Sequence, residues 1–266
     1  NQWEQAADSM YTLCGKDRIH PSTDGHLVMA YLFLKAQGLA GKLVADIRID
    51  GAGKKVTRSD NCRVSDLSVS SDNLTFTYEA KSLPYPIDTS YYDNEKHTQA
   101  DALSVIPFMD EMNYEGLSVS GLSDGYYGLT IGGEFIGRFT ARELERGINM
   151  ALLQNTPQYK QAMKIRQMNE ERWLKERKMR EFYWVEYNLM RKTGMLWACN
   201  EAAVDTLRKY RPHDIFLQWN GDLWLQYMHK GIREDCVNEQ QDLVNQIYEQ
   251  NKPIPLRIEI KKFTDL

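Results

Sequence analysis

The spacing of apolar residues changes twice along this sequence, and the changes divide it into regions. In residues 1–13, Trp3, Ala6, Ala7, Met10 and Tyr11 fall at helical intervals and predict a helix. A second helix is expected over 23–37, where Leu27, Ala30, Tyr31 and Leu34 recur at i, i+3, i+4 and i+7. Gly38 stands where a helix commonly ends, and Ser22, Thr23 or Asp24 can cap its start. Between the two helices, Pro21 disfavours helical backbone at His20 and predicts an extended loop there.

From about 43 to 139 the period shortens to two. Val44–Ile49, Val64–Val69, Leu74–Tyr78 and Leu117–Val119 read as strands. Tyr126–Ile131 and Glu134–Phe139, joined by Gly132-Gly133, read as a hairpin. Leu83-Pro84-Tyr85-Pro86 breaks any strand, and the polar, Tyr-rich residues 88–101 read as a surface loop. Several short strands at this spacing predict a small β-sandwich.

After Thr140 the period lengthens again. Thr140-Ala141-Arg142-Glu143 has the capping-box pattern, with Gly147 closing a short helix. Thr156-Pro157 opens a long helix expected to reach about Lys192, before Gly194, with a possible break near Asn169. Its charged first half reads as a solvated face. Helices follow at about 198–210, 214–230 and 235–251, and Leu256–Ile260 alternates like a closing strand.

Composition narrows the class without specifying a function. The 266 residues carry a net charge of -4, with 42% hydrophobic and 26% charged residues, which is ordinary for a globular chain. That balance argues against a dedicated nucleic-acid surface. The basic stretch Lys175–Arg180 is interleaved with acids. The longest apolar run, Leu27 to Leu34, is too short to span a bilayer. Cys14, Cys62, Cys199 and Cys236 form no Cys-x-x-Cys pair, so no zinc motif is expected; their spacing leaves disulfides undecided, with four buried thiols the preferred expectation. No cofactor or metal is called for. Gly51-Ala52-Gly53-Lys54-Lys55 lacks the length and the Ser/Thr of a phosphate loop.

The chemistry with the clearest pattern is Asp17-Arg18-Ile19-His20-Pro21. An acid three residues before a histidine can hold Nδ1–H of the imidazole and leave Nε2 to take a proton from a nucleophile. His26 and His97 are weaker candidates. Asp214, after His213, is expected to cap a helix at Ile215. Trp219, Trp224, Tyr227 and Met228 read as helix core. Tyr85, Tyr91, Tyr92, Tyr126 and Tyr127 read as packing residues that could otherwise stack on sugars.

Asp17, His20 and Pro21, then Gly25-His26 and the run Leu27-Val28-Met29-Ala30, resemble the last motif block of the SGNH (GDSL-type) ester hydrolases. The stretch from Leu117 to Ala162 is similar to the tail of some bacterial SGNH hydrolases associated with polysaccharide breakdown. The resemblance implies an α/β fold: residues 1–40 as the C-terminal end of a three-layer α/β/α domain, 41–140 a β-rich, sandwich-like region, and 141–266 a helical region with a closing strand. It implies His20 as general base and acid, Asp17 as its orienter, and acyl (acetyl) esters of carbohydrates as substrates. A periplasmic or secreted location is favoured on the same ground. In that family the serine lies upstream in a Gly-Asp-Ser block, which occurs nowhere in this sequence. The chain therefore reads as a C-terminal portion whose partner is the upstream half of the same protein. The rival expectation is a non-catalytic module that binds carbohydrate or protein.

Overall fold

The computed structural model describes residues 12–14, 18–89 and 97–263. The helix expected over 1–13 falls mainly outside them, as do Tyr91 and Tyr92. The fold is mixed α/β. Two compact units divide the chain: residues 1–163 with 252–266, and residues 164–251.

The first unit opens with α1 (Thr23–Ala36), which buries Leu27, Val28 and Tyr31. Strands β1 (Ala45–Asp50), β2 (Lys55–Asp60), β3 (Cys62–Val69) and β4 (Asn73–Ala80) follow. After a 3₁₀ turn at Gln99–Ser104 come α2 (Phe108–Glu111), β5 (Glu115–Ser120), β6 (Tyr126–Ile131), β7 (Glu134–Thr140), α3 (Ala141–Arg146) and the two-residue β8 (Ile148–Asn149). One sheet has the order β2-β1-β5-β8, with β1 and β5 parallel. The other has the order β3-β4, then a strand at Leu256–Lys262 (β9), then β6-β7, and is antiparallel throughout. Its central strand β9 lies far along the sequence from its neighbours. Alternate residues of both sheets meet in one hydrophobic cluster: Ile47, Ile49, Leu117 and Val119 from the first, and Leu74, Phe76, Leu129, Ile131, Ile258 and Ile260 from the second. Each strand presents that set because side chains alternate faces with period two.

The Gly132-Gly133 hairpin forms as expected, with φ of 60° and 85° at its two central residues. The Thr140–Glu143 capping box forms as well: the Glu143 amide donates to Thr140 Oγ1 at 3.2 Å, and the Thr140 amide to Glu143 Oε2 at 2.7 Å. Strand β2 was not expected from the sequence. Its residues are nearly all exposed at a sheet edge, so they carry no apolar alternation.

The second unit is helical. Helix α4 (Pro157–Val185) begins in the first unit and runs unbroken through Asn169. From 164 to 178 its residues are exposed or half-buried apart from Met168, and Arg166–Glu170 and Lys175–Glu171 pair one turn apart. A π turn at Glu186–Met190 continues it. Then come α5 (Glu201–Tyr210), a 3₁₀ turn at Arg211–His213, α6 (Ile215–Tyr227) and α7 (Lys230–Gln250). Asp214 caps α6 as expected, accepting from the amides of Phe216 and Leu217 at 2.8 and 3.2 Å. The core holds Phe182, Val185, Leu207, Leu217, Trp224 and Cys236. All four cysteines are free thiols, but only Cys62 and Cys236 are buried; Cys14 is half-buried and Cys199 exposed.

Two expected outcomes follow from the first unit. Deleting residues 252–266 removes β9, leaving hairpins β3–β4 and β6–β7 with no strand between them and their apolar faces open. The truncated protein should lose the cooperative thermal transition of this unit in calorimetry. The second concerns Glu115, buried in the core, where it accepts from Tyr78 Oη at 2.8 Å and Gln158 Nε2 at 3.2 Å. Burial pushes its carboxyl up to about 7 against the pull of those two bonds. Between the unfolded value near 4.5 and 7, the folded protein keeps a proton that the unfolded chain has released. Stability therefore falls as pH rises through that window. Glu115→Gln keeps the shape and removes the titration, so urea unfolding should show it gaining on the parent from pH 4.5 to 8, by about 3 kcal/mol at 1.36 kcal/mol per unit.

Candidate active site

The Asp-x-x-His segment leads into α1, and two backbone contacts pin its far end. The Ser22 amide donates to the carbonyl of Leu13 at 3.2 Å, and Cys14 and Pro21 form an isolated β-bridge. Arg18 has φ 57°, a left-handed conformation that turns the chain just before His20. His20 itself is exposed, in the non-helical backbone expected of a residue before proline. Gly25 lies so close to the opposite chain that a β-carbon there would stand 1.9 Å from the Leu13 carbonyl oxygen. This close approach makes Gly25 necessary, whereas its neighbour His26 points into solvent in the first helical turn.

The cap of α1 departs from expectation. Ser22 occupies the N-cap position, but its hydroxyl donates to Asp24 Oδ1 rather than accepting from the helix. Asp24, 2% exposed, also accepts the Gly25 amide at 2.8 Å, and its Oδ2 lies 3.3 Å from His97 Nδ1. A buried carboxylate needs several donors to offset its lost hydration, and Asp24 collects them from three residues. The acid–histidine pair brought together here is thus Asp24–His97, which joins α1 to the loop before the 3₁₀ turn at Gln99–Ser104. Nothing in the local sequence signals this pairing, because the partners are far apart along the chain. Asp17 lies outside the described residues.

Chemically, the segment presents an exposed imidazole on a loop fixed at both sides. Such a group can accept a proton from a hydroxyl brought to it. Ser22, the nearest serine in sequence, is buried and its hydroxyl is committed to Asp24, so it is not placed to act as nucleophile. Among the described residues no cluster of His, Cys, Asp and Glu could hold a metal ion. No described helix is long and apolar enough to cross a membrane.

The aromatic candidates separate cleanly. Trp224 is fully buried, with Nε1 donating to Glu186 Oε1 at 2.8 Å, and Tyr227 and Met228 are buried beside it. Trp219, expected in the core, is instead 67% exposed. Tyr127 is buried with Oη donating to the Ser123 carbonyl, whereas Tyr126 is exposed under the Arg138 guanidinium, 3.9 Å from its ring centre. Tyr85 packs edge-on against Phe108.

Gly25→Ala should force the Leu13 segment away from α1 and destabilise the first unit by about 2 kcal/mol. The check is the thermal midpoint together with faster protease cleavage in residues 12–22; an unchanged midpoint and cleavage rate would contradict the tight contact.

Residues 163–252 match the family model of the diltiazem deacetylase C-terminal helical domain, nearly the same span as the second compact unit. The whole chain is similar to a solved structure, that of BT4096, a gut microbial diltiazem-metabolizing enzyme. The two are 40% identical with a TM-score of 0.92, over 98% of this chain and 59% of that one. The chain thus spans about three fifths of that protein's length. Comparison with curated proteins finds no match.

Proposed function

We propose that this chain is the C-terminal part of an SGNH-type serine ester hydrolase, with His20 as general base and acid and Asp17 as its orienter. The observation that carries the reading is the 40% identity to a diltiazem-metabolizing enzyme along 98% of the chain. The exposed, pinned His20 agrees with it. So does α1, which buries Leu27, Val28 and Tyr31 on one side and leaves Met29, Leu32 and Phe33 bare on the other. A helix covered on both sides within a larger α/β/α domain would carry such residues.

In the proposed reaction, a serine hydroxyl supplied by polypeptide outside these 266 residues attacks the ester carbonyl. His20 Nε2 takes the hydroxyl proton and delivers it to the departing alcohol. Water then releases the acyl group by the same proton route in reverse. Asp17 holds the other ring nitrogen and so fixes the tautomer. The substrate class we propose is an O-acetyl ester on a larger alcohol. The diltiazem deacetylase name of the matching family supports the acetyl group, and the SGNH resemblance is the ground for carbohydrate alcohols.

The test joins this chain to a Gly-Asp-Ser-bearing segment and follows hydrolysis of an aryl acetate. His20→Ala should remove nearly all turnover while leaving the thermal midpoint unchanged. Asp17→Asn should lower kcat by up to about 10⁴ through the wrong tautomer. The 266 residues alone should be inactive. Full activity with His20→Ala would overturn the assignment and favour a non-catalytic binding module. Comparing diltiazem with acetylated oligosaccharides in the same assay decides the alcohol.

A further inference from the structure

The helical unit contains a cleft of about 380 Å³ lined by Trp184, Asn188, Leu189, Lys192, Thr193, Tyr210, His213, Asp214 and Leu217. That volume lies within the range of small-molecule sites. Its composition is specific. Leu189 and Leu217 are buried and supply apolar surface, while Trp184, half-buried, and Tyr210, exposed, supply aromatic surface. Phe216 packs 5.2 Å from Trp184, and Trp219 packs 5.5 Å from Phe216, so the indole belongs to a fixed aromatic row.

The charged groups of the cleft have unequal freedom. Asp214 accepts both amides at the start of α6 on Oδ1, and the positive end of the helix it caps offsets part of its charge. Lys192 makes no ion pair among the described residues, and His213 adds a second nitrogen donor. Asn188 donates to the Trp184 carbonyl at 2.9 Å, which leaves its Oδ1 available to accept. The cleft therefore offers a cation and a ring donor beside an apolar, aromatic surface.

The backbone that shapes the cleft is held from below. The π turn at Glu186–Met190 widens the helix just where Asn188 and Leu189 enter the lining. Turns of this kind recur at functional sites. Buried Glu186 accepts from Trp224 Nε1 and from the Trp197 amide, each at 2.8 Å, fixing the turn to α6 and to a residue with φ 62°. On the opposite side, Arg211 grips Asp222 through two bonds of 2.6 and 2.7 Å and so fastens the 3₁₀ turn that carries His213 to α6.

We infer that this cleft binds a small ring-bearing carboxylate, the ring lying on Trp184 and the carboxylate meeting Lys192 and His213. Aromatic acids and uronic acid sugars share that chemistry, since both offer a ring face for stacking and one anionic group. The inference does not depend on the esterase reading.

Titration calorimetry of the 266-residue protein with benzoate and with glucuronate, each beside its neutral counterpart benzamide or glucose, tests it. At least one acid should bind saturably, and about tenfold more tightly than its neutral counterpart, as expected for one charge-assisted contact. Benzoate alone would assign an aromatic acid, and glucuronate alone a sugar acid. Lys192→Met, a change at an exposed position, should remove that tenfold preference, whereas Tyr248→Ala, exposed on α7 and outside the lining, should leave it intact. Trp184→Ala should abolish binding of acid and neutral ring alike. The inference is overturned if neither acid binds, if the neutral ring binds equally well, or if Lys192→Met retains the preference.

Discussion

The first unit depends on a strand that must come back. Its five-stranded sheet consists of two hairpins, each complete in its own hydrogen bonds, and neither edge facing the gap can be satisfied locally. Strand β9 fills the gap: Leu74 and Leu129 both register with Ile260, and Phe76 and Ile131 with Ile258. The two isoleucines are buried and join the cluster to which β1 and β5 contribute from the other sheet. Ladder bonds and apolar burial thus converge on one seven-residue segment.

Buried carboxylates organise the unit at smaller scale. Asp24 gathers a hydroxyl, an amide and an imidazole, and so ties the helix start to a distant loop. Glu115 accepts from Tyr78 and Gln158, and burial raises its carboxyl above the usual carboxylate range. In the helical unit Glu186 satisfies two tryptophan N–H groups, one of them on the backbone.

Most of this fold was legible because its elements obey simple periods. The seven strands read from alternation are present, and β4 and β9 show it most plainly, burying Leu74, Phe76 and Tyr78, and Leu256, Ile258 and Ile260, on one face. The capping box and the Gly-Gly turn were legible because their chemistry is local. What escaped lacked such a signal. Strand β2 is polar on nearly all its positions, α2 is a single turn, and Trp219, five residues before Trp224, stands about 140° around the helix from it and so on the open side. The region of the candidate site was legible as far as the Asp-x-x-His pattern and the helix after it. The Asp24–His97 contact was not, because pairing between distant segments leaves no mark in either. The cleft in the helical unit was equally silent: it draws on α4, the π turn and the turn after it, α5, the 3₁₀ turn and α6, and its lysine and histidine look like ordinary surface residues in sequence.

The placement of β9 also has a consequence during synthesis on the ribosome. Translation delivers the β3–β4 and β6–β7 hairpins first and the whole of residues 164–251 next, before residues 256–262 emerge. For that interval the nascent chain carries two open strand edges, the kind of surface that templates pairing with other chains. The helical unit, contiguous in sequence, can close its own core while the sheet waits. A slow stretch of translation within 164–251 would prolong the exposure of those edges, and one after 262 would not. The vulnerable window is therefore set by the length of the helical excursion, a quantity that leaves the finished sheet unchanged.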